Sequence, residues 1–287
     1  MRLLRSTVAW AALLPALSSV GPPELSAQDW RSITTLRRYG GEDLLRVNVE
    51  YGAGTLNIGP GAENSLYRAT LRYDGNVFRP VNRYDDGELH LGIEGGSIKS
   101  GNLKAGRLDL ALGPRVPLDL ELKFGAAEAE VELGGLRVRE ATIQTGASGT
   151  RVRVSKPNRE NCSSAVFEVG AARFEASGLG NLNCEDLRLS GGVGEVILDF
   201  SGVWRGDMSA DVDMGLGSLI LRVPRGLGVS VRKSGVLASF DSQGLIKRGN
   251  VYYSENYENA EHKLTVTIDA ALGAIRMQWV DGALGSR

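Results

Sequence analysis

Val49–Ile58 reads VEYGAGTLNI, two short runs of alternating apolar residues joined by Gly-Ala-Gly. Variants of this stretch return along the chain, with the first corner residue at Gly52, Gly125, Gly146, Gly170, Gly192, Gly215 and Ala271. From Gly125 to Gly215 the spacings are 21, 24, 22 and 23 residues. A recurrence of this length marks a repeat architecture. The longer gaps, 73 residues before Gly125 and 56 before Ala271, predict that coils there are masked or interrupted.

Apolar residues stand five, three and one before the corner, as in Val47, Val49 and Tyr51, or Leu120, Leu122 and Phe124. Four, six and eight beyond it the alternation resumes, as in Val196, Leu198 and Phe200, or Ile275, Met277 and Trp279. A period of two is the strand signature, so each repeat is strand, corner, strand. Gly suits the corner because a neighbouring backbone stacks above and below it. About ten further residues per repeat return the chain to its start. The predicted fold is therefore all-β: a single-stranded, right-handed parallel β-helix or solenoid of roughly 22-residue coils.

The cysteines test this register. Cys162 lies eight residues before Gly170, and Cys184 lies eight before Gly192. Equivalent positions of stacked coils are roughly 4.8 Å apart, within disulfide reach, so the two are predicted to be bonded. Charges alternate from coil to coil in the same way. Glu130, Arg151 and Glu175 share one phase, and Glu132 and Arg153 another, which predicts a solvated, ion-paired face.

Residues 1–27 read as a signal peptide: Arg2 and Arg5 precede an apolar run from Val8 to Leu17, and Leu25-Ser26-Ala27 supplies a small-residue cleavage site. The run is too short to span a bilayer, and no later stretch approaches the roughly 20 apolar residues a spanning helix needs. The expected location is the periplasm or the cell surface, where Cys162 and Cys184 can oxidise. The formal net charge is −1, and losing Arg2, Arg5 and Glu24 shifts it by one unit. Such a balance argues against a nucleic-acid partner. With 42% apolar residues the chain can bury a core.

Beyond the leader three regions are expected: N-terminal strands with a β-meander cap (28–105), regular coils (106–225), and an interrupted coil with a Tyr-rich loop and a last coil (226–287). The meander rests on Asp74-Gly75-Asn76 and Asp85-Asp86-Gly87, both hairpin signals. They would pair Ala69, Leu71 and Tyr73 with Val77, Arg79 and Val81, with Leu89, Leu91 and Ile93 following. Such a segment would cap the solenoid and protect its open edge. In the last region NVYYSENYENAEH places Tyr252, Tyr253, Asn256 and Tyr257 in one polar loop, the best candidate for a partner surface. A packed end cap is the competing reading of those aromatics.

Catalytic signatures are missing. His90 and His262 are the only histidines, and no HExxH, G-x-S-x-G or G-x-x-x-x-G-K-[ST] motif occurs. No metal, cofactor or catalytic residue is therefore expected. The many G-x-G pairs fall at the coil corners and read as bends. Asp211 and Asp213 project outward together, the one place where a carbohydrate-active β-helix would find paired carboxylates. Ser190 separates Glu168 from Asp213 in the stack, so no compact pair on consecutive coils is expected there.

The succession VEYGAGTLNI, SLYRATLRYDGNVFRPVNRY and PLDLELKFGAAEAEVELGGL resembles the toast-rack domain family. It is also similar to the C-terminal domain of LiaF-like proteins, grouped under cell-wall-active antibiotic response. The resemblance implies a stacked β-solenoid, a role in envelope-stress sensing through protein contacts, and no catalytic motif. The chain lacks the membrane-spanning segments that usually precede the LiaF-like domain. The leading expectation is an exported, non-enzymatic scaffold contacting an envelope protein or cell-wall material. Alternatives are a carbohydrate-active enzyme and a structural or adhesin-like surface protein.

Overall fold

The computed structural model describes residues 29–95, 106–235 and 237–281. The expected signal peptide lies outside the described residues, as does the expected boundary at residue 105. The protein is all-β, built on parallel strands, with one four-residue helix, α1 (Leu179–Leu182). The strands are β1 (Trp30–Arg38), β2 (Leu45–Pro60), β3 (Ser65–Asp74), β4 (Phe78–Asp85), β5 (Glu88–Gly95), β6 (Gly106–Leu112), β7 (Pro117–Glu132), β8 (Arg137–Thr145) and β9 (Gly149–Arg153). There follow β10 (Cys162–Ser177), β11 (Cys184–Asp199), β12 (Met208–Pro224), β13 (Gly228–Ser234), β14 (Leu237–Asp241), β15 (Leu245–Arg248), β16 (Val251–Ser254) and β17 (Lys263–Val280).

Long strands such as β2 bend at their glycine corner, and their two halves line different sides of the core. Leu45, Val47, Val49 and Tyr51 point inward before the bend, and Leu56 and Ile58 after it. The inward phase switches from odd to even numbers across Gly52-Ala53, which lets one strand turn while keeping its apolar residues inside. A Cβ on Gly125 would run into the carbonyl oxygen of Gly52 in the next layer, and one on Gly215 into that of Gly192. Glycine at these corners therefore allows the backbones of successive layers to approach closely.

Parallel pairing orders the layers as β5 with β6, then β2, β7, β8 with β9, β10, β11, β12, β17, and finally β13 with β14. The two long gaps of the repeat each hide one layer, β5–β6 and β13–β14. In both cases the hidden layer lies outermost, and a strand distant in sequence lies beneath it. Inward columns pack large against small along the stack: Leu120, Ala141, Ala165, Leu187, Ala210 and Val266 lie in one register. Phe167 and Phe174 meet across the interior with ring centroids 5.0 Å apart. Truncating either buried ring to Ala is worth about 3 to 5 kcal/mol.

Cys162 and Cys184 are register partners and form a disulfide, Cα to Cα 4.2 Å, as the repeat predicted. The ion-paired column is present too, with Arg151 bonded to Glu130 and 4.0 Å from Glu175. Glu132 departs from expectation. It accepts from the Gly134 and Ser155 backbone N–H groups at 2.6 and 3.0 Å instead of pairing with Arg153.

In the N-terminal segment β1, β3 and β4 pair antiparallel, but they do not form a consecutive meander. Asp85-Asp86-Gly87 does form the β4–β5 hairpin, with positive φ at Asp86 (40°) and Gly87 (77°) as a type I′ turn requires. By contrast, β3 pairs with β6 and β1, not with β4. The outermost layer has two halves facing different ways, and each edge takes its own antiparallel strand, β4 on β5 and β3 on β6. The Asp74-Gly75-Asn76 turn carries the chain between them.

Candidate functional site at the C-terminal end

The Tyr-rich loop sits where the stack ends. β16 is held antiparallel between β13 and β15, with Val231 opposite Tyr252 and Ser230 opposite Tyr253. Tyr252 packs edge-on against Phe240 at 5.0 Å, with the Lys247 ammonium 5.4 Å from its ring. It serves the core rather than an outer surface. Tyr253 and Tyr257 do come together, 4.9 Å between centroids, flanked by Arg248 and Lys263. Asn256 fastens the loop: its Nδ2 donates to the carbonyls of Arg225, Gly226 and Leu227 at 3.4, 3.0 and 3.3 Å.

Beside this loop lies an open hollow of about 800 Å³ lined by Asp241, Glu255, Asn256, Arg276, Gln278 and Trp279, among others. Of the four predicted loop residues only Asn256 lines it. Trp279 is fixed by its Nε1 donating to the Gln243 carbonyl at 2.9 Å. It stands in register with Val223 of the layer beneath, a large ring where the chain of β14 has already turned away. That substitution of Trp for an aliphatic residue was the available sequence signal.

Asp211 and Asp213 are exposed on a sheet face. Because β17 stacks directly on β12, Asp213 has Asp269 as its register partner, so a carboxylate pair on adjacent layers does exist. Ser190 does stand between Glu168 and Asp213, as expected, but the conclusion that no pair forms on consecutive layers is corrected by Asp269 on the other side of Asp213. Asp211 faces Arg188 on one side and Thr267 on the other. Among the described residues no group of three or more His, Cys, Asp or Glu could hold a metal ion.

One feature escaped the sequence reading. The residue after the first corner position is Ala53, Ala126, Ala147 and Ala171 in the N-terminal layers, then Val193, Leu216, Leu272 and Leu237 in the layers that follow. The last four are 52%, 44%, 46% and 69% exposed and lie side by side on consecutive layers. The alanines show that the bend itself needs no large side chain. An aliphatic ladder on this face is therefore not a product of packing.

A family model described as the N-terminal domain of toast_rack, DUF2154, matches residues 26–177, more than half of the chain. The chain belongs to the toast_rack family. The matched part ends with β10, so the alanine corners fall inside it and the Val and Leu corners beyond it. Among solved structures, the chain is similar to a Clostridium sporogenes protein described as a candidate cell adhesion protein. Identity there is 20%, over 88% of this chain and 100% of that one, with a TM-score of 0.44. It is also similar to a candidate adhesin from Bacteroides fragilis, 13% identical over 86% of this chain and 97% of that one, TM-score 0.39. A Parabacteroides distasonis protein described as a candidate lipid binding protein is 10% identical over 86% and 96%, TM-score 0.39. No curated protein matches.

Proposed function

We propose that this toast_rack chain is an exported, non-enzymatic β-solenoid module of the bacterial cell envelope, wound right-handed, that holds another protein against its C-terminal layers. The three regions expected from the sequence serve as N-terminal cap, stack and contact end. The observation that carries this reading is the exposed ladder Val193, Leu216, Leu272 and Leu237. Contiguous exposed aliphatics beside small, uncharged neighbours such as Ser218, Ala274 and Ser239 have the composition of an interface core. The inter-layer disulfide supports an oxidising location, periplasm or cell surface. Parallel strands joined by crossovers take the right hand for the reason that twisted strands generally do. A role in an envelope-stress response would follow if the held protein is a sensor.

The test places a photo-crosslinking residue at Leu272, and at Glu130 as a control, in cells exporting the full chain. A discrete protein adduct from Leu272 that is missing from Glu130 is the expected result. Adducts of equal strength from both positions, or none from either, would overturn the reading. Recovery of a sensor or export component would establish the envelope-stress link.

A further inference from the structure

We infer that the protein held at the ladder is a second copy of this chain, related by a two-fold axis so that the two stacks run antiparallel, edge to edge. This rests on the interaction reading above and names the partner.

The bent edge of the stack has two halves of opposite relief. In β2, β7 and β10, and between β8 and β9, the residue after the corner glycine is alanine: Ala53, Ala126, Ala171 and Ala147. In β11, β12, β17 and β14 it is Val193, Leu216, Leu272 and Leu237, in consecutive register. Four recessed layers are followed by four raised ones. Beside the alanines lies an open hollow of about 910 Å³, lined by Gly52, Gly125, Gly146 and Gly170 and running on to Gly192. It is space that no side chain of the chain's own corners fills.

A ridge and a recess of equal length on one edge are self-complementary under a two-fold axis that crosses the edge between β10 and β11. Ala171 and Val193 are register partners at that point. The axis sets Val193 of one copy against Ala171 of the other, Leu216 against Ala147, Leu272 against Ala126 and Leu237 against Ala53. Large side chains enter where small ones leave room, which is the packing an interface core needs. Eight layers roughly 4.8 Å apart give the contact a length of about 34 Å.

The charges flanking this edge obey the same axis. Two residues before the corner, the recessed half carries Glu50, Lys123, Gln144 and Glu168, and the raised half Ser190, Asp213, Asp269 and Ser234. Reversed and laid on itself, this column brings Asp269 to Lys123, Asp213 to Gln144, and Glu168 and Glu50 each to a serine. Three residues after the corner the order is Thr55, Glu128, Gly149 and Arg173, then Glu195, Ser218, Ala274 and Ser239. There the reversal sets Glu128 against Ala274 and Arg173 against Glu195. Like charges meet in neither column. Arg173 already bonds Glu195 within one chain at 2.8 Å, so the axis gathers two such pairs side by side. Lys123, 2.6 Å from Glu121 of its own chain, gains a second carboxylate in the exposed Asp269. Complementary charge of this kind fixes orientation. An axis running along the stack fits worse, because it puts Leu272 on Leu272 and Ala126 on Ala126 and leaves the hollow empty. The antiparallel contact is isologous, so it closes at the dimer.

The experiment uses the purified, oxidised full chain in sedimentation velocity over a concentration series. Wild type is expected to form a dimer and nothing longer. Ala126→Leu fills the recess and Leu272→Ala lowers the ridge. Each alone is expected to weaken the dimer by about tenfold, and the two in one chain to restore it, because the axis sets these positions against each other. Both positions are exposed, and each change installs a residue that other layers already carry at the same corner; circular dichroism and the urea midpoint check the fold. Geometry is read by mixing Leu272→Cys with Ala126→Cys chains under mild oxidation. The mixture is expected to crosslink and neither variant alone, since identical positions stand five layers, about 24 Å, apart. Wild type that stays monomeric up to its solubility limit overturns self-association. If the Leu272 crosslink in cells persists in that case, the interaction reading stands with a different partner. Species longer than a dimer, a double variant no tighter than either single one, or Leu272→Cys bonding to itself overturns the two-fold geometry.

Discussion

Replacing Cys162 and Cys184 together by Ala removes the only covalent link between two layers of the described stack. The bond closes a segment with a sequence separation of 22. Restricting a loop of that length in the unfolded chain lowers its entropy by about 11 cal/mol/K, or about 3 kcal/mol at room temperature on the chain-entropy model. Both residues are buried, so Ala avoids the further cost of an unsatisfied hydroxyl that Ser would introduce. The assay is urea unfolding followed by tryptophan fluorescence. Trp204, buried in the turn after β11 with its Nε1 donating to the Phe200 carbonyl at 2.9 Å, reports on the linked layers. The expected result is a lower midpoint, worth about 3 kcal/mol, with a steeper slope because the unlinked unfolded chain exposes more surface. Reductant should reproduce the loss in wild type and leave the double variant alone. A loss below about 1 kcal/mol, or a reductant effect of equal size in the double variant, would refute the account of how the layers are held.

Gly217, at φ +151° with a Cβ position that runs into the Gly194 carbonyl, should lose at least about 2 kcal/mol on Gly217→Ala, read as the same urea midpoint. Asn158 is buried and bonds the Val138 N–H and carbonyl and the Leu182 carbonyl at 3.0, 2.7 and 3.1 Å, so Asn158→Ala should cost about 3 kcal/mol by leaving these groups unpaired. Two aspartates should respond to pH with opposite signs. The hydrogen bond from Arg107, reinforced by Asn57, holds the Asp109 carboxyl below the ordinary range, so its stabilising contribution is present at neutral pH and is lost as pH falls through that lowered value. Burial raises Asp119, so its contribution is present at low pH and is lost as pH rises through the raised value. Asp109→Asn should therefore destabilise at pH 7 and have no effect in acid, whereas Asp119→Asn should stabilise at pH 7, both read as urea midpoints across a pH series.

The inner architecture was legible because its cause is local. A corner that packs backbone on backbone demands small residues at a fixed phase, and alternating apolar residues on either side follow from the pleat. Cys162 and Cys184 could be paired from that phase alone. What the phase does not contain is the order of layers. A turn such as Asp74-Gly75-Asn76 reports that the chain reverses, not which neighbour receives it, so β3 on β6 was out of reach. For the same reason Asp269 could not be placed beside Asp213, since β13 and β14 intervene in sequence but not in space. The ladder was half visible: Val193, Leu216 and Leu272 each follow a recognised corner. Leu237, its most exposed rung, belongs to the layer hidden in the interrupted region. Tyr252 and Asn256 show a different limit, because composition identified a loop but not which of its side chains the core and the backbone had already claimed.

β17 enters the stack between β12 and the β13–β14 layer, although it is made after both. Until it arrives, the ribosome delivers a chain whose outermost layer has nothing to rest on. Assembly of this end therefore cannot proceed layer by layer as the chain emerges. It must wait for Lys263–Val280, and a product cut short before that strand would lose an interior layer, not a dispensable tip.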